Sequence, residues 1–535
     1  MVKENINKLL KRNKMKKKVT IWALLMTITM GVTSFSSNEL LGQNLNMEWE
    51  NILGGSSDDY AYAVVETSDG NIVYAGFTNS TDYCIYQSYG ATDGWIVKLN
   101  NNGDTLWSKS VGGSSDDFLY GITSTDDGGI IAVGFTSSED YYIHENKGMT
   151  DCWAVCLNIN GDTLWSKTYG GSSMDFATSI TKTNDGFFVI GGFVASSDGD
   201  VSGNHGGMDM WTFMINNEGN FIWGKTIGGS GDEQLFTIKK SIDNKFLIVG
   251  STNSSDGDFV TNEGGIDIAL AKLDVTGNII FSKSYGASSD ETGYSLYQNE
   301  IGDIQICGAT NSINGIFTDN HGAYDAFVLN IDSIGQLLWS QCYGGSSFDM
   351  AYNILPSENK SSLVISESWS LDGQVSENFG YCDIWTFQID STGNLMWDES
   401  FGGVSTDMPC DAIVTTDDKF IIAGNTSSWD TYGGYGDENC WLFELESETT
   451  GTEMISDNNL TIYPNPVSDQ LTINLNTRQI EQASLEIVNI NGHIIHKESF
   501  SEITNINMSR FPNGIYFIKI NASNNYEIHK IIINK

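Results

Sequence analysis

Gly54-Gly55-Ser56-Ser57-Asp58-Asp59 is the stretch that decides the fold, because it returns along the chain at one fixed interval. The same turn reads GGSSDD from Gly112, GGSSMD from Gly170, GGSGDE from Gly228, GASSDE from Gly286, GGSSFD from Gly344 and GGVSTD from Gly402, each step being 58 residues. Trp49 keeps the same register, followed by Trp107, Trp165, Trp223, Phe281, Trp339 and Trp397. Self-similarity at a fixed period means that one supersecondary unit is copied and that neighbouring copies cover one another's apolar faces. Within the second unit the spacing predicts four strands, Phe118 to Ser124, Gly129 to Phe135, Cys152 to Asn158 and Thr163 to Tyr169. Asp127-Gly128 and Asn160-Gly161-Asp162 supply the hairpin turns, and the connection from about Thr136 to Asp151 is long.

Four strands in 58 residues make one twisted sheet that cannot bury both its faces alone, so the expected fold is all-β: seven four-stranded blades arranged as a propeller. The repeat opens on a lone tryptophan strand, Met47 to Leu53, and ends near Trp441 to Glu446 with a unit that lacks that strand. The opening strand is therefore expected to complete the last blade and to close the ring, which removes the free edges that invite aggregation. Two units depart from the pattern and are expected to be irregular. The sixth has Ser366 where glycine stands at Gly308 and Gly424, and the seventh is two residues short before Trp441.

Composition agrees with many short strands and tight turns: glycine is high at 57, proline low at 5, and tryptophan numbers 14. The formal net charge is −41, and residues 47–456 carry 13 Lys/Arg against 59 Asp/Glu. So acidic a surface repels phosphate backbones and anionic lipid, which argues against nucleic-acid binding and peripheral membrane attachment. Basic residues Lys16 to Lys18, the 14 apolar residues Val19 to Val32 and the small residues Ser34 and Ser36 together predict a signal peptide over 1–36, with cleavage between 36 and 42. No transmembrane segment is expected once it is removed. The eight cysteines include no CxxC pair and do not all share one repeat position, so buried thiols are expected in preference to disulfides, which export permits, and metal clusters are not expected.

The repeats resemble the SBBP family, named for a seven-bladed β-propeller, over residues 47–446. The likeness rests on the GGSSDD turn, Asp127-Gly128 with Gly134-Phe135-Thr136, the Gly148-to-Trp153 segment and the strand Gly161-Asp162-Thr163-Leu164-Trp165. A linker over 447–457 then precedes a different unit, over 458–535. Tyr463-Pro464-Asn465-Pro466, a strand-like Ser484 to Ile490, Asn491-Gly492 and the run containing Gly514-Ile515-Tyr516 arrive in order there. That unit resembles the type A C-terminal sorting domain of the type IX secretion system, an Ig-like β-sandwich. The resemblance implies export across the outer membrane, the secretion machinery as a partner, and a secreted or surface location.

Functional residues are expected on the face where the GGSSDD turns and the long loops emerge together, and the acids of those turns offer one reading of it, an acidic ligand surface for cations or neutral glycans, against a turn role. The acids Asp59, Asp117, Asp175, Glu233, Glu291, Asp349 and Asp407 repeat as turn acceptors would, and so do Asp93, Asp151, Asp209, Asp267, Asp325 and Asp383. Chemistry that varies on a repeated scaffold is the better sign of recognition. Tyr89, Lys147, His205, Glu263, His321 and Phe379, four residues before those last aspartates, are therefore the candidate ligand-binding ring, with aromatics placed to stack on sugar faces. Asp198, Asp200, Ser202, Gly203 and Asp209 fall at EF-loop spacing and make a candidate calcium site, calcium being the one cofactor considered. No HExxH, GxSxG or phosphate loop occurs and no catalytic residue is assigned. The expectation is a non-enzymatic ligand-binding or adhesion protein whose partner is a glycan or surface protein. The alternatives are a polysaccharide-active hydrolase or lyase and a structural surface-layer component.

Overall fold

Each of the first six 58-residue units folds as one antiparallel sheet whose strands follow chain order from the centre outward. The structure is a computed structural model and describes residues 45–85, 87–428, 438–447, 460–463, 467–475, 483–489, 494–501, 503–522, 525–533 and 535. In the second blade the strands are Asp117–Ser124, Ile130–Thr136, Asp151–Leu157 and Thr163–Tyr169, each within one residue of the bounds read from the spacing. The two central strands of a blade are mostly apolar and buried on both faces, as in Ile130–Thr136 and Asp151–Leu157, with Thr136 and Asp151 at their turn-side ends. The first strand alternates, since one of its faces packs on the sheet and the other looks inward.

The innermost strands Asp59–Glu66, Asp117–Ser124, Asp175–Lys182, Glu233–Lys240, Glu291–Gln298, Asp349–Pro356 and Asp407–Val414 pack each against the next, and the last packs against the first. The ring is therefore closed. Its clasp is the opening strand, Leu45–Leu53, which pairs antiparallel with Asn439–Ser447 and completes a four-stranded seventh blade. Between blades, the outer-strand tryptophans Trp49, Trp107, Trp165, Trp223 and Trp339 reach to the neighbour's hairpin. Trp107 Nε1 donates to the Ile159 carbonyl at 3.2 Å, and its ring lies against Gly161 of the next hairpin.

The glycine in the second strand answers to a close approach. At Gly134 a Cβ would stand 1.8 Å from the Phe118 carbonyl oxygen, across the bulge between Leu119 and Gly121. Ser366 occupies this place in the sixth blade without displacing the register, since Ala351 still pairs with Ser366 and the same bulge follows. The expected irregularity of that blade is thus absent from its pairing. The shortened loop of the seventh lies outside the described residues, as do the signal segment and most of the linker. All eight cysteines are free thiols, six of them buried.

The C-terminal unit is a two-sheet sandwich. One sheet joins Leu460–Tyr463, Gln470–Leu475 and Ile503–Asn507, and the other joins Ile494–Phe500, Ala483–Asn489, Gly514–Ala522 and Asn525–Ile533. Leu471, Ile473, Leu485, Ile487, Ile518 and Ile531 fill the space between them.

Candidate functional site: the central channel and its mouth

Residues from all seven innermost strands line a central cavity of about 490 Å3. One level of it is aromatic at five of seven equivalent positions: Tyr62, Tyr120, Phe236, Tyr294 and Tyr352, interrupted by Thr178 and Cys410. Neighbours in this collar touch, with ring centroids 4.7 Å apart for Tyr62 and Tyr120, 5.2 Å for Phe236 and Tyr294, and 5.1 Å for Tyr294 and Tyr352. Burial pushes the Tyr120 and Tyr294 hydroxyls up to about 12, so both remain neutral donors and acceptors.

The next position on each strand sits at the bulge and varies: Ala63, Gly121, Ser179, Thr237, Ser295, Asn353 and Asp411. Asp411 accepts from the Val64 N–H at 2.9 Å and from the Asn353 amide at 2.7 Å, and burial raises its pKa while Lys239 opposes that rise. The cavity therefore has a polar, hydrogen-bonded sector at blades six and seven.

Toward the turn end of the channel the asymmetry is stronger. Blades one to three contribute Tyr60, Phe77, Phe118, Phe135, Phe176 and Phe193, whose rings follow one another at 4.7 to 5.1 Å. The equivalents of Phe77 in the other blades are Ser251, Ala309, Glu367 and Asn425. Glu367 is buried, and its carboxyl is pushed up to about 7 by that burial, against hydrogen bonds from Tyr352 and Trp369. Blades one to three thus carry a continuous aromatic run, and blade six holds a buried carboxyl group whose pKa burial pushes up to about 7. Aromatic faces take the apolar sides of sugar rings, and a neutral carboxyl can both donate and accept a hydrogen bond.

The rim residues sit where the spacing places them but do not converge. Tyr89, Lys147, His205, Glu263 and His321 each donate a backbone N–H to the aspartate four residues on, at 2.7, 2.6, 2.9, 2.9 and 2.8 Å, and Phe379 does the same to Asp383. Most of their side chains are engaged locally. Tyr89 packs on Tyr141 and Tyr142 of the next blade, with centroids 5.3 and 5.2 Å away, and Lys147 pairs with Asp200. His205 and His321 hold Asp209 and Asp325 through Nδ1 at 2.6 Å. Glu263 and Phe379 are left as open rim positions, Phe379 being 47% exposed.

The calcium-spaced loop is not gathered either. Asp198 accepts from the Ser172 N–H at 2.7 Å, Asp200 is held by Lys147 and the Gly170 N–H, and Asp209 is buried against His205. Asp82, Asp140, Asp256 and Asp372 make the Asp198 contact in other blades, so the loop's first oxygen belongs to a repeated turn. Among the described residues no group of three or more His, Cys, Asp or Glu side chains is placed to hold a metal ion.

The acids that end each GGSSDD-type turn are buried, so they belong to the scaffold and not to an acidic ligand surface. Asp59 shows the pattern: it accepts from the Gly55 N–H at 2.6 Å, the Ser80 hydroxyl at 2.8 Å and the Thr78 hydroxyl. The channel wall escaped the sequence reading, although its signal was present as variation at the 58-residue equivalents of Phe77 and Ala63.

In the C-terminal unit, Tyr463 closes its strand and Gly514 opens another, and the Tyr516 hydroxyl donates to the Pro512 carbonyl at 3.0 Å from a buried ring. Pro464, Asn465 and Pro466 lie outside the described residues, and nothing is described of the Ile515 side chain. Residues 461–534 match the family of secretion-system C-terminal sorting domains. The C-terminal unit is a type IX sorting domain. A chain carrying this sorting domain is sent to the cell surface or the medium, and among the described residues no helix is long and apolar enough to cross a membrane.

Beyond the sorting domain the likenesses are distant. The regulatory protein FlaEY of Caulobacter vibrioides is 23% identical over 387 residues, covering 64% of this chain and 39% of that protein. An endo-acting ulvan lyase of Formosa agariphila is 28% identical over 156 residues, 29% of this chain and 25% of the lyase. The chain thus spans well under half the length of either relative. Among solved structures, a variant of the Synechocystis apocarotenoid oxygenase superposes with a TM-score of 0.35 at 12% identity, over 64% of this chain and 72% of that one.

Proposed function

We propose that this is an exported propeller that binds a glycan at the mouth of its central channel, as a ligand-binding or adhesion protein. The signal peptide (1–36), propeller (47–446), linker (447–457) and sorting domain (458–535) are its working parts, and its repeats are of the SBBP kind. The observation that carries the reading is the lopsided channel wall. A scaffold copied seven times has no structural reason to place a continuous run of aromatics in blades one to three and a buried carboxyl, Glu367, in blade six. Aromatic rings bind the C–H faces of saccharides, whereas the strongly acidic surface disfavours polyanions. Glu263 and Phe379 extend this surface onto the rim.

The test is binding to a panel of neutral oligosaccharides followed by calorimetry, comparing the natural protein with Phe118→Ala/Phe135→Ala. Loss of at least tenfold in affinity with an unchanged melting temperature is expected. Equal binding by the variant, or no binding to any glycan, removes the proposal.

A second reading, a polysaccharide-cleaving enzyme, is favoured by one observation: Glu367, buried beside Tyr352, has the near-neutral carboxyl that proton transfer requires. The lyase likeness is in keeping with it. New reducing ends or unsaturated products from a polysaccharide panel, absent with Glu367→Gln, decide for the enzyme.

A further inference from the structure

Six of the seven blade junctions bury two carboxyl groups side by side. At the first, Asp93 begins the third strand of one blade and Asp117 begins the first strand of the next, joined through the Asp117 N–H, which donates to the Thr92 carbonyl at 2.9 Å. Both side chains are at most 1% exposed. Gly112 packs over the pair: a Cβ there would stand 2.7 Å from Asp117 Oδ2 and 2.9 Å from Asp93 Oδ1. Gly170, Gly228 and Gly402 cover Asp151 with Asp175, Asp209 with Glu233, and Asp383 with Asp407 in the same way. Asp267 with Glu291 and Asp325 with Asp349 complete the set.

The two members are not equivalent. Asp117 has a full complement of donors: the Gly113 N–H at 2.6 Å, the Ser138 hydroxyl at 2.9 Å and the Thr136 hydroxyl. Asp93 accepts the Tyr89 N–H at 2.7 Å on one oxygen, while among the described residues its other oxygen, Oδ1, has no hydrogen-bond partner. The same Oδ1 is unpartnered in Asp151, Asp209, Asp267, Asp325 and Asp383. An ionised oxygen buried without a donor beside a second carboxylate is costly twice over, whereas a carboxylic O–H in that place is a donor that needs an acceptor.

The closing junction supplies an internal comparison. There the place of Asp93 is taken by Asn439, whose amide lies beside Asp59 under Gly54, the Glu438 carbonyl accepting the Asp59 N–H at 3.1 Å. Asparagine has the shape of a neutral aspartic acid and cannot ionise.

We propose that each of the six junctions is a proton-binding site, in which the aspartate that begins the third strand is kept as the neutral acid and shares its proton with the ionised carboxylate of the next blade. The proton stays on Oδ1 and no bond is made or broken beyond that hydrogen bond. Burial, with repulsion from the neighbouring acid, pushes Asp151 and Asp267 up to about 6 and Asp383 up to about 7, and raises Asp209 and Asp325; at the first junction burial raises Asp93 and pushes its donor-rich partner Asp117 up to about 6 as well, so there the two acids compete for one proton. Other groups face these pairs. Lys147 and Asp200 face Asp151, His205 faces Asp209, Glu263 faces Asp267, His321 faces Asp325 and Glu377 faces Asp383. Asp198 and Asp372 add repulsion at Asp175 and Asp349, and Asp58 and Glu438 stand at the closing junction. The buried thiols Cys152, Cys342 and Cys382 also adjoin these acids.

Because these carboxyls bind protons more tightly folded than unfolded, their stabilisation is complete below the ordinary aspartate range and is lost as pH rises through about 6 to 7. The full chain should therefore melt at a lower temperature at pH 8 than at pH 5. Asp93→Asn/Asp383→Asn should melt higher than the natural protein at pH 8, converge with it as pH falls to about 4, and bind about two fewer protons on folding between them. Asn439→Asp, which creates a seventh pair, should do the reverse and steepen the loss. A parallel series with added calcium, sodium or potassium chloride separates a proton from a metal ion. If a cation restores the natural protein at pH 8 but not the double asparagine variant, the sites bind that cation and the proposal fails. It fails equally if the asparagine variants lose stability to the same extent at every pH, or if Asn439→Asp leaves the pH profile unchanged.

Discussion

Glu367 stands at a position that three other blades give to phenylalanine, and Ser366 before it replaces a glycine that elsewhere admits a carbonyl oxygen from the adjacent strand. A charged group so placed is retained against a folding cost, which is the usual mark of use. Its pKa near 7 gives the sign of the effect. The folded carboxyl holds its proton more tightly than the unfolded one, so the stabilisation present at acid pH is lost as pH rises through neutrality. Glu367→Gln, neutral at every pH, should gain about 1–3 kcal/mol on the natural protein between pH 4 and pH 8, as chemical denaturation at the two values will read. Equal differences at both would show that Glu367 is ionised throughout. None of this could be read from position 367 alone, because a glutamate on a strand that alternates or not says nothing of which radius of the ring it occupies.

Strands carry their own instructions more openly. The apolar run Ile130–Thr136, the hairpin turns and the outer-strand tryptophans gave the four strands of a blade to within one residue, since each depends only on neighbours in the chain and on burial on one or both faces. The clasp Leu45–Leu53 could be foreseen as well, because the count of strands left one blade short. Removing residues 45–53 would expose the edge of Asn439–Ser447 and withdraw Trp49 from the hairpin at Gly103. The shortened protein should melt several degrees lower and form higher oligomers in size-exclusion chromatography, as an unpaired apolar edge does. A monomer of unchanged melting temperature would mean that the ring holds without its clasp. The calcium-spaced loop is the opposite case. Its spacing is right, but Ser172 and Lys147 from outside the loop, and His205 from within it, take its carboxylates one by one.

The sorting domain sends the chain to the cell surface or the medium. Deleting residues 458–535 should leave the propeller folded but retained in the periplasm, which fractionation with an antibody to the propeller will detect; appearance in the medium would show a second export signal. The repeat period, the closing strand and the sorting motifs are local or periodic properties, so the amino-acid order alone was enough for the all-β fold, the seven blades and the route of export. Which residues share a site is a different kind of property. Phe77 and Phe118, or Asp93 and Asp117, meet because consecutive blades pack face to face, and Asp59 meets Asn439 only because the ring closes. Burial there, and the proton affinity that follows from it, come from groups brought together from different blades, which no local pattern records.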